Sequence, residues 1–178
     1  GIVDFKFPKS VTKIPRSMFF GCNMLTEYTI PDNIKEIDID AFYNCSNLRS
    51  IIIPASVANI GASVFRNCTS LQEVEIPNSL TTLGQSMFDG CTSLQKVVLP
   101  EGFKILAGGD FNGCISLKEI TLPESLEEIG SSSFANSGLT SIVIPSNVKK
   151  IYFQAFYKCE SLAKVVIPHS VACMGGNM

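Results

Sequence analysis

The chain of 178 residues has no tryptophan and a single histidine, His169. One histidine leaves His-rich metal cages and most histidine-dependent catalysis without their residues. Charge is also scarce: 17% of residues are charged, the formal net charge is −2 and the isoelectric point is about 5.4. That balance supplies no basic surface for nucleic acid or anionic lipid. No apolar run approaches the roughly 18–20 residues of a membrane-spanning helix, so no membrane insertion is expected. The opening Gly1-Ile2-Val3-Asp4 has neither the charged region nor the apolar core of a signal peptide. G-x-S-x-G, G-x-x-x-x-G-K and H-E-x-x-H are all missing, and the sequence reads as no enzyme. With 46% hydrophobic residues it is far too apolar for a disordered tail.

What is present is a period. Pro8, Pro31, Pro54, Pro77, Pro100 and Pro123 stand 23 residues apart, Pro145 follows after 22 and Pro168 after 23. Cys22, Cys45, Cys68, Cys91 and Cys114 keep the same step, with Cys159 in phase 45 residues later. Phe19, Phe42, Phe65, Phe88, Phe111, Phe134 and Phe156 follow it too. Three residue types in one phase indicate a solenoid. With proline as position 0, positions 3 and 6 are apolar, 11 is Phe, 14 is Cys, 17 is Leu, and 20 and 22 are aliphatic apart from Tyr28. One residue is lost after Phe134, where Ser137-Gly138 replaces the usual Cys-x-Ser and Leu139 resumes the frame. No single unit buries enough surface to fold alone, so the units must stack.

The template predicts a single domain over 1–178, with repeats at 8–30, 31–53, 54–76, 77–99, 100–122, 123–144 and 145–167 and partial repeats at 1–7 and 168–178. Ile2, Phe5 and Phe7 fit positions 17, 20 and 22 of a preceding unit, and neither end carries a polar cap. An excerpt of a longer protein is therefore expected. Alternation at Leu-x-x-Val-x-Ile-Pro predicts a short parallel strand over positions 18–22, ended by proline. Val-x-x-Ile-Gly predicts a second extended segment, and Ser-x-x-Phe-x-x-Cys one or two helical turns. Position 13 is Gly21, Asn44, Asn67, Gly90, Gly113 or Asn136, residues that tolerate a left-handed backbone, with Lys158 as the exception.

The unit Leu-x-x-Val-x-Ile-Pro-x-Ser-Val-x-x-Ile-Gly-x-x-x-Phe-x-x-Cys-x-Ser, clearest in Leu48 to Ser70 and Leu71 to Ser93, resembles the BspA-like leucine-rich repeats. The resemblance covers almost the whole chain. It implies a right-handed leucine-rich-repeat solenoid of the α/β class, with parallel strands on a concave face. It also implies a secreted or cell-surface protein linked to adhesion and host-protein binding, with no cofactor and no shared catalytic residues. Tyr28 and Ala107-Gly108-Gly109-Asp110 depart from the pattern.

Candidate chemistry is sparse. The in-phase cysteines read as buried free thiols, since a straight column does not converge on a metal, and Cys173 reads as the accessible one. His169 and Cys173 lie four apart without an orienting third group. Glu36, Asp38 and Asp40 lack equivalents in neighbouring repeats and read as a solvated loop, not a calcium site. Asp110 reads as facing a wide Gly-rich loop. Asn44-Cys45-Ser46 and Asn67-Cys68-Thr69 match the glycosylation pattern only because the template generates them. The outward strand positions 19, 21 and 1 hold eight of the sixteen acids, Asp4, Glu27, Asp32, Glu73, Glu75, Glu101, Glu119 and Glu124, against four lysines. This face predicts a protein partner met by Glu73, Glu75, Lys96, Val98, Glu119 and Thr121. Its β-branched residues equally serve strand propensity, and a stiff spacer presenting another domain is the alternative. Arg66 and Lys158 read as exposed positions on the opposite loops.

Overall fold

In the computed structural model, which describes residues 5–176, each unit forms one rung of a coil. Each rung is named here by its leading proline. The strands are β1 (Lys13–Ile14), β2 (Glu27–Thr29), β3 (Glu36–Ile37), β4 (Ser50–Ile52), β5 (Asn59–Ile60), β6 (Glu73–Glu75), β7 (Lys96–Val98), β8 (Ile105–Leu106), β9 (Glu128–Ile129), β10 (Ser141–Val143), β11 (Lys150–Ile151), β12 (Lys164–Val166) and β13 (Cys173–Met174). All pairing is parallel and links equivalent positions one rung apart, as in Tyr28 with Ile51 and Ile14 with Ile37. Strands at positions 19–21 form a first sheet, in the runs β2-β4-β6-β7 and β10-β12; those at positions 5–6 form a second, in the runs β1-β3-β5 and β8-β9-β11-β13. The second extended segment of the template is thus a strand in its own right.

The remaining side of each rung is a turn edge, and here the structure corrects one expectation. No helix is present among the described residues. Ser-x-x-Phe-x-x-Cys instead makes successive tight turns, with the Phe20 N–H on the Ser17 carbonyl and the Cys22 N–H on the Phe19 carbonyl. Three-residue spacing suits a helix and such turns equally, but here the backbone turns left-handed at position 13, as at Asn44 (φ 61°) and Gly90 (φ 75°). It does so again at position 9, as at Ser17, Asp40 and Ser63. Two left-handed residues per turn edge prevent helix propagation. They also aim alternate N–H groups at the next rung. Phe65 donates to Met87 and Asn67 to Asp89, and the equivalent bonds recur from rung to rung.

Inside, the phenylalanines form a single buried row. Phe65, Phe88 and Phe111 stack at centroid distances of 5.7 Å, nearly parallel, and the row continues to Phe19 and Phe156. Phe5 and Phe7 pack on its beginning, as their template positions require; Ile2 lies outside the described residues. Tyr28 is accommodated at an aliphatic position because its hydroxyl donates to the Phe5 carbonyl.

The cysteines add a contact that periodicity does not reveal. Five of the seven thiols donate to the phenylalanine carbonyl of the preceding rung: Cys45 to Phe19, Cys68 to Phe42, Cys91 to Phe65, Cys114 to Phe88 and Cys159 to Phe134, at 2.9–3.2 Å. A small apolar group carrying one weak donor is what this position needs. All seven cysteines are free; Cys173 is exposed, while Cys22 and Cys159 are half-buried and so less protected than the rest of their column. Burial pushes the Cys91 and Cys114 thiols well up. Where one residue is missing, Gly138 is obligatory, because a Cβ there would strike the Ile115 carbonyl.

Asp110 overturns a second expectation. It does not face a loop but is fully buried. In most rungs the N–H of position 7 donates back to the previous rung, as Gly61 does to Ile37 and Gly130 to Leu106. The Ala107 N–H instead meets the Asp110 carboxylate at 2.8 Å, and the Met87 N–H reaches the other oxygen at 3.4 Å. The carboxylate replaces a missing bond between rungs, and its burial pushes its pKa up.

Candidate binding face

Six residues define the sequence-derived site, and the structure sets all of them on the exposed side of the first sheet. Glu73 and Glu75 project from β6, and Lys96 and Val98 from β7, in register as Glu73 with Lys96 and Glu75 with Val98. Alternation explains the arrangement: Val74 and Val97 point into the core between them. Glu119 and Thr121 occupy the equivalent places on the Pro100 rung and are exposed. Their segment, however, is not a strand, and the first sheet stops at β7 and resumes at β10.

A depression of about 960 Å³ lies over this interruption, lined by Lys96, Val98, Glu101, Glu119, Thr121 and Val143 among others. Glu73 and Glu75 stand outside it, one rung away. Glu101, Glu124 and Val143 belong to the depression and were absent from the six; they share the outward columns 1 and 21 and were legible there. A smaller depression, about 510 Å³, lies over the second sheet beside Asn59 and Thr82, where β5 finds no partner on the Pro77 rung.

Electrostatically the two faces differ. Beside the second sheet, Lys13 bridges Glu36 and Asp38, and Lys150 bridges Glu128, each at 2.8 Å. Lys104 meets Glu127 there at 3.2 Å. On the first sheet no ion pair occurs among the described residues, although Lys96 lies between Glu73 and Glu119 in its column. Asp4 lies outside the described residues.

The other candidates separate. Asp38 is occupied by Lys13, Asp40 lies 3.8 Å from Arg16, and no group of three or more metal-ligating side chains exists among the described residues. No helix is long and apolar enough to cross a membrane. Arg66 is not a free loop charge. It lies over the Tyr43 ring, which stacks on Phe20, and its Nε meets Asp89 at 2.9 Å. Asp89 in turn accepts from Asn112. Lys158 holds a left-handed backbone and lies over the Tyr157 ring.

The sequence matches the BspA type leucine rich repeat region (6 copies) over residues 1–108 and 86–178, which together span the chain. The chain belongs to the BspA type leucine-rich repeat family. Among solved structures it is similar to a leucine rich cell surface protein from Faecalibacterium prausnitzii (29% identity, TM-score 0.69, covering 94% of this chain and 55% of that one). It is also similar to a leucine rich repeat protein of T. pallidum (28% identity, TM-score 0.63, 93% and 67%). The pneumococcal vaccine antigen PcpA shares the fold at 19% identity and a TM-score of 0.64, covering 93% of this chain and 52% of that one. The chain thus spans between about half and two thirds of these relatives. No curated protein matches it.

Proposed function

We propose that this chain is a non-enzymatic protein-binding module of a cell-surface or secreted protein, adhesin-like, that meets a host or matrix protein on its first sheet. The observation that carries this reading is the row of exposed acidic and β-branched side chains around the depression, none of them in an ion pair among the described residues. A rigid sheet repeats these groups at fixed spacing, and apolar centres with charged rims suit protein partners. The cell-surface naming of a similar structure supports the location. The competing reading, a stiff spacer, draws on the uninterrupted turn edge.

A panel of purified matrix and serum proteins, tested against the immobilised chain, decides between the two. Saturable binding that Glu73→Lys with Glu119→Lys abolishes supports the module. Arg66→Glu would break the Tyr43–Arg66–Asp89 contacts, so the control is Lys35→Glu with Lys149→Glu, exposed and outside every ion pair described here. Binding that only the control pair weakens moves the site off the first sheet; no binding at all favours the spacer.

A further inference from the structure

We infer that the occupant of the first-sheet depression is a basic amphipathic helix of the partner, lying along the stack axis; this rests on the protein-binding reading above. The charges are the first argument. Glu101 and Glu124 line one flank of the depression, Glu119 the other, and Lys96 is the lone cation among its lining residues. The lysines beside the second sheet neutralise their acids, whereas these glutamates have no cation within ion-pair distance among the described residues. Such an unpaired rim favours an incoming cation and repels an anion.

The floor is the second argument. Val98 and Val143 are 41% and 68% exposed and stand on either side of Thr121 in one column. Within the depression the column is Val98, Thr121 and Val143, with Glu101 and Glu124 on one side and Glu119, between Lys96 and Ser141, on the other; Glu75 continues the column outside the depression. Its complement is one apolar stripe flanked by two cationic rows, the pattern of a basic amphipathic helix.

The repeat length is the third. Paired rungs lie about 4.8 Å apart, and the stacked phenylalanines repeat at 5.5–5.7 Å. A helix rises about 5.4 Å per turn, so its i, i+3/i+4, i+7 side chains stay within roughly 1 Å of successive rungs. Same-face residues of an extended chain recur every ~6.6 Å and slip by about 1–2 Å per rung. Over the three rungs that line the depression the helix keeps register more closely than an extended chain.

The test uses a lactam-bridged helix of about 15 residues, bridged because short free helices are marginal in water. It carries a leucine stripe between two lysine rows. A scrambled peptide of the same composition, lacking the stripe, is the comparison. Fluorescence anisotropy at about 0.15 M salt should show the helix binding the chain at least roughly tenfold tighter than the scramble. Glu119→Lys with Glu124→Lys should remove that binding, and Lys35→Glu with Lys149→Glu should not. Equal binding of both peptides, or indifference to the glutamate reversals, overturns the inference. A photo-crosslinker at Thr121 separates the two levels. If a matrix protein crosslinks there through a non-helical segment, the helix falls and the binding reading stands. If a bound matrix protein crosslinks only from the turn edge, both fall.

Discussion

The turn edge and the first sheet stack the same rungs, yet only one of them does so without a break. Along the turn edge, N–H groups at positions 9, 11 and 13 bond to the next rung throughout, as Ser86 does to Gly108, Phe88 to Asp110 and Gly90 to Asn112. The phenylalanine row and the thiol–carbonyl contacts run beside them. On the first sheet the ladder ends at β7, and the Glu119–Thr121 backbone enters no hydrogen bond between rungs. The Pro100 rung is deprived at other points as well. In six other rungs position 2 carries a side chain bonded to the previous rung, as Ser56 is to Ile34 and Ser79 to Val57, but here it is Gly102. Its position-7 N–H turns to Asp110. The stack is therefore carried by its turn edge, and the sheet that presents the candidate site is relieved of part of that task.

The largest test of this division is Phe88→Ala. The ring is fully buried between Phe65 and Phe111, so its loss should cost about 3–5 kcal/mol. Urea denaturation measures it. A cost below about 1 kcal/mol would show that the row adapts and that the turn edge does not dominate.

Amide exchange sharpens the comparison on one rung. Phe111 N–H is held by the Ser133 carbonyl at 2.7 Å, whereas Ile120 and Thr121 N–H bond to no neighbouring rung. Both Ile120 and Thr121 should exchange faster than Phe111 by about tenfold or more. Equal protection would mean that the sheet closes in solution.

How much of this contrast the residues announced depends on which side they occupy. Phe, Cys and Pro mark the turn edge and its boundaries because each column repeats one residue type, Ser137 in the cysteine column excepted, and the left-handed position 13 is legible because Gly and Asn recur there. Position 9 is equally left-handed but uses Ser17, Asp40, Ser63 and Gln154, which carry no such signature. The interruption at Glu119–Thr121 is invisible, since Leu117, Ile120 and Leu122 alternate like every other rung. Asp110 misled because a carboxylate beside two glycines reads as exposed, and its partner is the N–H of Ala107, which no side-chain pattern encodes. The six proposed site residues share a face through simple alternation; the depression does not follow from alternation, because it depends on that hidden break.

Asp110 gives a pH test of the weakened rung. Burial raises its carboxyl pKa, against the smaller opposing pull of the Met87 and Ala107 N–H groups. The folded chain then keeps the proton at a pH where the unfolded chain, near 3.9, has lost it. Stability should fall as pH rises from about 4 up to the raised value and level off beyond it, with a slope of at most about 1.4 kcal/mol per pH unit. Asp38 and Glu128, lowered by Lys13 and Lys150, act in the opposite sense. They act equally in an Asp110→Asn variant, so the difference between the two proteins isolates Asp110. That difference should move against the wild type as pH rises. Movement in its favour would mean that the two N–H groups outweigh desolvation.

The smallest effect is expected where the comparison says structure asks least. Glu73 and Glu119 flank Lys96 in one column, yet neither forms an ion pair with it among the described residues. Both side chains are exposed, and the segments they decorate, β6 and the irregular stretch at Glu119, are held from beneath by Val74 and Ile120. Reversal to lysine removes no packed atom and no hydrogen bond described here. Each of Glu73→Lys and Glu119→Lys should therefore change stability by no more than about 0.5 kcal/mol. Phe88→Ala, in the buried phenylalanine row, sets the contrasting scale. Urea midpoints at low and high salt measure the pair. A loss above about 1 kcal/mol that salt removes would reveal a structural ion pair with Lys96. The acids would then be part of the scaffold, and the first sheet would no longer be the side left free for recognition.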